Sequence, residues 1–67
     1  MKIELNNTVH EVNEETTVQQ VLEKEGFLNR TGIAAAVNQE IISKTNWATH
    51  QLKENDKILI ITATAGG

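Results

Sequence analysis

Hydrophobic and polar positions alternate in short blocks along this chain, and the first two blocks predict a hairpin. Apolar and charged residues alternate at period two over residues 1–5, which predicts a strand. Residues 8–12 are rich in β-branched side chains and predict the returning strand. Asn6 and Asn7 lie between them, and asparagine tolerates the left-handed backbone angles of a tight turn. We therefore expect an antiparallel β-hairpin.

The next block has the period of a helix. Three apolar residues repeat at the spacing of one helical face: Val18, Val21 and Leu22. Thr17 and Gln20 have the spacing of an N-terminal capping box, and Gly26 is a natural C-terminal stop. A helix this short is marginal alone in water, so we expect its apolar stripe to pack on a sheet.

Residues 33–37 can be interpreted in two ways. Their three alanines favour a helix by propensity. We predict a strand, because the run is short, a turn-like Asn38-Gln39 follows it, and β-branched Ile41-Ile42 comes next. The pattern therefore indicates a strand or a short hairpin.

The last apolar run, over about residues 57–63, is apolar on both faces and is typical of a strand in the middle of a sheet. Placing it parallel to the first strand gives an α+β fold of the β-grasp type. This fold is a mixed sheet of four to five strands with one main helix across one face. We assign Ile58 and Ile60 to the core, together with the apolar residues of the first strand and the helix. Leu59 and Ile61 then lie on the open face, where a contiguous apolar patch indicates an interaction site.

The sequence ends in Gly66-Gly67 after a spacer of small residues. Glycine has no Cβ, so such an end can enter a channel too narrow for other residues. Its carboxylate is ionised at neutral pH, since the pKa of an α-carboxyl lies near about 3.5. It could therefore attack the α-phosphate of ATP in a partner's active site. We predict a domain over residues 1–62 and a flexible tail over 63–67, which spans at most about 17 Å when extended. A frayed terminus or a vector scar is the alternative interpretation.

Composition excludes several classes of function. The chain has 67 residues, which predicts one domain, and it has no cysteine for disulfides or a thiolate metal site. Its net charge of -3 argues against binding nucleic acid. The absence of a long apolar run or a signal peptide predicts a cytoplasmic protein with no membrane partner. His10 and His50 are a weak metal signal, so no metal site is predicted.

A set of residues spread along the chain carries a family resemblance: Val37-Asn38, Ile42, Trp47, Asp56-Lys57-Ile58 and Gly66-Gly67. Together they resemble the thiamine-biosynthesis sulfur carrier family ThiS, over nearly the whole length of the chain. The terminal Gly-Gly alone is shared with ubiquitin and with the small subunit of molybdopterin synthase. One departure is Asn55, where the family often has glycine, but asparagine also reaches a positive φ at low cost.

The resemblance implies a mechanism in which the protein is a substrate of other enzymes and is not itself an enzyme. A ThiF-like activating enzyme would adenylate the carboxylate of Gly67 with ATP and Mg²⁺. A persulfide from a cysteine desulfurase would displace AMP, and thiazole synthase ThiG would take sulfur from the resulting thiocarboxylate. No cofactor would be bound by this chain. The residues expected to enter or contact the partners are Gly66, Ala65 and Thr64 in the tail, and Leu59 and Ile61 on the sheet.

Three other hypotheses remain open at this point. Within the same fold, the chain could be a sulfur carrier of the molybdopterin-synthase type or a ubiquitin-like modifier. It could also be a plain protein-interaction module in which Gly66-Gly67 is incidental. An enzyme with its own pocket is disfavoured, because the sequence offers no convergent set of polar residues.

Overall fold

The computed structural model describes residues 1–28 and 31–62, which form one five-stranded mixed sheet and, within these ranges, one α-helix. In chain order the elements are β1 (Lys2–Leu5), β2 (Thr8–Glu11), α1 (Val18–Lys24), β3 (Ile33–Val37), β4 (Glu40–Ile42), a one-turn 3-10 helix (Lys44–Asn46) and β5 (Lys57–Thr62). The strand order is β2-β1-β5-β3-β4. β1 and β5 are parallel, and the other neighbouring strands are antiparallel.

The predicted N-terminal hairpin is present, and its turn has the predicted chemistry. Asn6 and Asn7 both have positive φ, 49° and 69°, as a two-residue type I′ turn requires. This turn fixes the register, in which Leu5 pairs with Thr8. Because side chains alternate across a strand, the register also decides which residues of β2 share a face with those of β1.

The ends of α1 follow the predicted pattern. The hydroxyl of Thr17 accepts a hydrogen bond from the Gln20 amide at 3.3 Å, and the Gln20 side-chain oxygen accepts one from the Thr17 amide at 2.9 Å. At the other end, Gly26 has a φ of 83°, and the Phe27 amide donates to the carbonyl of Leu22 at 2.8 Å. These bonds satisfy backbone groups that the ends of a short helix would otherwise expose.

The alanine-rich run 33–37 is a strand, as predicted, and the alternative of a short hairpin with residues 40–42 is also correct. Asn38 and Gln39 have φ of 51° and 71°, which makes a second two-residue turn. The helix propensity of alanine is overridden here because β3 is paired on both sides, with β4 and with β5.

The core lies between α1 and one face of the sheet. Its buried residues are Ile3, Leu5, Val18, Val21, Leu22, Ala35, Val37, Ile42, Trp47, Leu52, Ile58 and Ile60. Every residue that the sequence assigned to the core is among them. Trp47 directly follows the one-turn helix and is buried in the core. Its indole Nε1 donates a hydrogen bond to the carbonyl of Ile42 at 2.9 Å. Within the two described ranges, no helix has the length and apolarity needed to cross a membrane.

Candidate functional site

Leu59 and Ile61 lie on the open face of β5, as expected from the assignment of Ile58 and Ile60 to the core. They are 50% and 43% exposed, whereas Ile58 and Ile60, which alternate with them along the strand, are buried in the core. β5 is the central strand of the sheet, so two large apolar side chains stand in the middle of an uncovered face. Their exposure is confirmed, and their role in binding a partner stays a prediction.

A third exposed apolar residue joins them across the sheet. Leu59 pairs with Ala36 of β3, and Ala36 pairs with Ile41 of β4, which is 60% exposed. Ile61 pairs with Ala34 in the same way. Since neighbouring partners share one face of a sheet, these residues form a continuous surface that we call the apolar patch. Ala36 itself is buried, so Leu59 and Ile41 on either side of it supply the exposed apolar surface there.

Val9 is exposed on the same face of the sheet but does not belong to the apolar patch. It pairs with Glu4 on β1, and Glu4 pairs with Lys57 on β5. This row contains two charged residues, which separate Val9 from the larger apolar side chains. The open face is therefore divided into an apolar half over β5, β3 and β4 and a charged half over β1 and β2.

A shallow depression of about 500 Å³ lies where the two halves of the open face meet. Its lining includes Leu59 from the apolar patch, Glu4 and Lys57 from the charged row, and Asn38 from the turn after β3. A partner on the patch would thus meet hydrogen-bonding groups of both charge signs at its border. That combination of an apolar centre and a polar border is typical of protein–protein contact surfaces.

The start of β5 is held by a small network around Asp56, which is 8% exposed. Its carboxylate accepts a hydrogen bond from the Asn38 side-chain amide at 2.9 Å and another from the Lys53 backbone amide at 2.8 Å. The side-chain oxygen of Asn38 in turn accepts from the Lys57 amide at 3.0 Å. No pattern in the sequence indicated this contact, because Asn38 and Asp56 are 18 positions apart.

The tail residues of the predicted site lie outside the described part of the chain. These residues are Thr64, Ala65, Gly66 and Gly67. The division into a domain over residues 1–62 and a tail over 63–67 also stays a prediction. The attachment of a group at Gly67 and the entry of the tail into a partner both stay predictions. β5 does extend to Thr62, so the strand that carries the apolar patch leads directly towards residue 63.

The other candidate residues do not form a binding site within the described part of the chain. His10 lies on β2 with its Nδ1 3.7 Å from a carboxylate oxygen of Glu25, and His50 lies in a loop, half-buried. In residues 1–28 and 31–62, no group of three or more potential ligands is arranged to hold a metal ion. Trp47 is a buried core residue and does not face the open side of the sheet.

Sequence reasoning did not identify Val9 and Ile41 as exposed. For Val9 a signal was available, since a two-residue turn with Leu5 in the core places Glu4, and hence Val9, on the open face. For Ile41 the signal was incomplete. Its face depends on the register between β3 and β5, which pairs segments distant in sequence.

Comparison with known proteins agrees with this geometry. A model of the ThiS family matches residues 3–67. The sulfur carrier protein ThiS of Escherichia coli (strain K12) is 33% identical over 67 residues, spanning all of this chain and 86% of that protein. The crystal structure of thiamine biosynthesis protein ThiS from Geobacter metallireducens is similar with a TM-score of 0.84 and 17% identity, covering 100% of both chains. That likeness confirms the predicted β-grasp fold.

Proposed function

The chain belongs to the ThiS family, and on that premise we propose that it is a sulfur carrier of thiamine biosynthesis that holds sulfur as a thiocarboxylate on Gly67. The observation that carries the proposal is the placement of the apolar patch on β5, the strand that leads to Gly66-Gly67. A carrier must bind its partners and deliver its terminus in the same event. β5 carries Leu59 and Ile61 of the contact surface, and the C-terminal residues follow it directly in the sequence.

The chemistry requires only a free α-carboxylate on this chain. An oxygen of the Gly67 carboxylate attacks the α-phosphorus of ATP, and pyrophosphate leaves with Mg²⁺ bound in the activating partner. The terminal sulfur of a cysteine persulfide then attacks the acyl carbon, and AMP leaves. A thiol reduces the S–S bond that remains, which releases the thiocarboxylate. Its sulfur is a soft nucleophile that thiazole synthase can use. The acid–base groups for these steps belong to the partners.

We further propose that the apolar patch is the surface on which the activating enzyme and thiazole synthase bind. Leu59 and Ile61 supply most of the patch's exposed apolar area on β5, and burying one such side chain contributes about 1.5–3 kcal/mol. Thr62 follows Ile61 directly in the strand. A partner seated on Ile61 is therefore within reach of residues 63–67, which extend to at most about 17 Å.

The glycines suit this delivery for a steric reason. Gly66 and Gly67 have no side chain, so a partner can enclose their backbone in a channel that excludes a Cβ. Such a channel would keep water away from the reactive acyl adenylate. Gly67 must also be the C-terminal residue for this chemistry, because any residue after it would replace the carboxylate with an amide.

The decisive experiment measures the intact mass of the purified protein after incubation with its activating enzyme, ATP, Mg²⁺, a persulfide donor and a thiol reductant. We expect a mass increase equal to the difference between sulfur and oxygen. Without the persulfide donor, we expect the adenylate instead. A variant that lacks Gly67 and one that carries an extra residue after Gly67 are the matched controls, and both should remain unmodified.

Two results would contradict the proposal. One is an unchanged mass in the complete reaction, shown with an activating enzyme that is active on another carrier. The other is modification of the variant that lacks Gly67, which would place the chemistry elsewhere on the chain. Transfer of the acyl group to lysine side chains of other proteins would instead support a ubiquitin-like modifier.

A further inference from the structure

Asn6 contacts β5 through two different groups. Its backbone amide donates a hydrogen bond to the carbonyl of Ile58 at 2.9 Å. Its side-chain oxygen accepts one from the amide of Ile60, also at 2.9 Å. These partners lie more than fifty positions away along the chain, so Asn6 joins the first hairpin turn to the last strand.

The side chain of Asn6 replaces a main-chain hydrogen bond that the sheet lacks at this position. In a regular parallel ladder, a residue that donates to one strand residue also accepts, through its own carbonyl, from the residue two positions further on. Asn6 cannot do so with its main chain, because its φ of 49° turns the backbone into the hairpin. Its side-chain oxygen takes the place of that carbonyl. The β1–β5 pairing thereby extends one step beyond the end of β1 at Leu5.

The position of this step matters because β5 continues beyond it. Ile61 and Thr62 pair with Ala34 and Ile33 of β3. Among the described residues, the bond to Ile60 is the last hydrogen bond between the first hairpin and β5. After Ile60 the strand is therefore held from the β3 side alone. The end of β5 is the part of the domain from which the chain continues to residue 63.

We propose that Asn6 is a positioning residue. Its side chain anchors the end of β5, and this anchor fixes the point from which the tail is presented to a partner. Asn6 is exposed, so water can replace its side-chain oxygen as an acceptor for Ile60. Water satisfies the amide but does not hold the strand in place. Removing the side chain should therefore loosen the strand end much more than it lowers the stability of the whole domain.

The test uses a matched pair of variants that the turn itself provides. Asn6→Gly removes the acceptor and keeps a residue that readily adopts positive φ. Asn7→Gly makes the same change at the next turn position, where the side chain makes no hydrogen bond within the described part of the chain. Asn6→Asp keeps an oxygen acceptor and is the rescue variant. Native-state amide hydrogen exchange, measured residue by residue, is the readout.

The increase in amide exchange should be confined to the end of β5. In Asn6→Gly, the amides of Ile60 and Ile61 should exchange about fivefold faster than in Asn7→Gly, the effect of losing one ordinary hydrogen bond. Amides of α1, which report opening of the whole domain, should be alike in the two glycine variants. Asn6→Asp should restore slow exchange. The inference is overturned if only the Ile60 amide changes, or if all amides accelerate together.

The functional consequence rests on the proposed sulfur-carrier role, and a second measurement separates the two ideas. In the adenylation reaction, Asn6→Gly should raise the KM for the carrier about fivefold and leave kcat unchanged, while Asn7→Gly changes neither. Faster exchange at Ile61 with an unchanged KM would overturn the link to partner binding. If even the unsubstituted protein is not adenylated, the proposed function fails, and the exchange data still decide whether Asn6 anchors β5.

Discussion

The side chains of Asn38 and Asp56 are joined by a hydrogen bond of 2.9 Å although the two residues are 18 positions apart in the chain. Asn38 lies in the turn between β3 and β4, and Asp56 immediately precedes β5. Asn38 also accepts from the Lys57 amide at 3.0 Å. The pair therefore fixes where β5 begins relative to β3, and with it the register that places Leu59 on the open face.

Replacing Asp56 by Asn should lower the free energy of unfolding by about 1–3 kcal/mol. The Asp56 carboxylate accepts from two donors, the Asn38 side chain and the Lys53 amide, and asparagine has only one acceptor oxygen. One buried donor would then face an NH₂ group. Urea denaturation measures the change. Glu15→Gln, the same kind of change at an exposed position, is the control, and equal losses in the two variants would contradict the prediction.

Replacing Trp47 by Phe should also cost about 1–3 kcal/mol. The indole Nε1 donates to the Ile42 carbonyl at a site where Trp47 is 2% exposed. Phenylalanine cannot donate, so the carbonyl loses its partner where water has little access, and the smaller ring leaves a gap. Because Trp47 is the one tryptophan of the sequence, unfolding should be followed by circular dichroism. A change below about 0.5 kcal/mol would show that the hydrogen bond is unimportant.

Asn55 should be replaceable by glycine but not by alanine. Its φ is 69°, a conformation that costs ordinary side chains about 1–2 kcal/mol and glycine nothing. We expect Asn55→Ala to destabilise the domain by about 1 kcal/mol and Asn55→Gly to leave it as stable as before or slightly more stable. Thermal denaturation of both variants checks this. A less stable Asn55→Gly would mean that the asparagine side chain, not its backbone angle, is what the turn requires.

Leu59 and Val9 offer a matched test of the proposed contact surface. Both are large apolar side chains exposed on the same face, but only Leu59 belongs to the apolar patch. We expect Leu59→Thr to weaken binding to the activating enzyme about tenfold, because it removes about 1.5 kcal/mol or more of apolar burial. Val9→Thr should have less than about a twofold effect.

Titration calorimetry with the purified enzyme measures both affinities, and urea denaturation confirms that each variant is folded. Threonine is suited to strands, so neither substitution should disturb the sheet. Equal weakening by the two variants would place the contact across the whole open face. No weakening by Leu59→Thr would remove the apolar patch from the interface.

Much of the fold could be predicted because it depends on neighbours in the sequence. The turn at Asn6-Asn7, the capping box of Thr17 and Gln20, and the stop at Gly26 each involve residues within a few positions of one another. Local backbone preferences and hydrogen bonds decide such features, so the sequence pattern is sufficient.

What only the tertiary structure decided depends on segments that are far apart in the chain. Ala36 of β3 pairs with Ile41 on one side and with Leu59 on the other, so the pairing of β3 with β5 places all three on one face. The pairing of β1 with β5 brings the Asn6 side chain to the Ile60 amide. No local pattern encodes these contacts, because each forms only when the helix and all five strands bury their apolar faces together. The sequence by itself determined the elements and the family, whereas the register of β5 with β1 and β3 decided which side of β5 is exposed. The packing of those elements determined how the apolar patch is assembled and how the end of β5 is held.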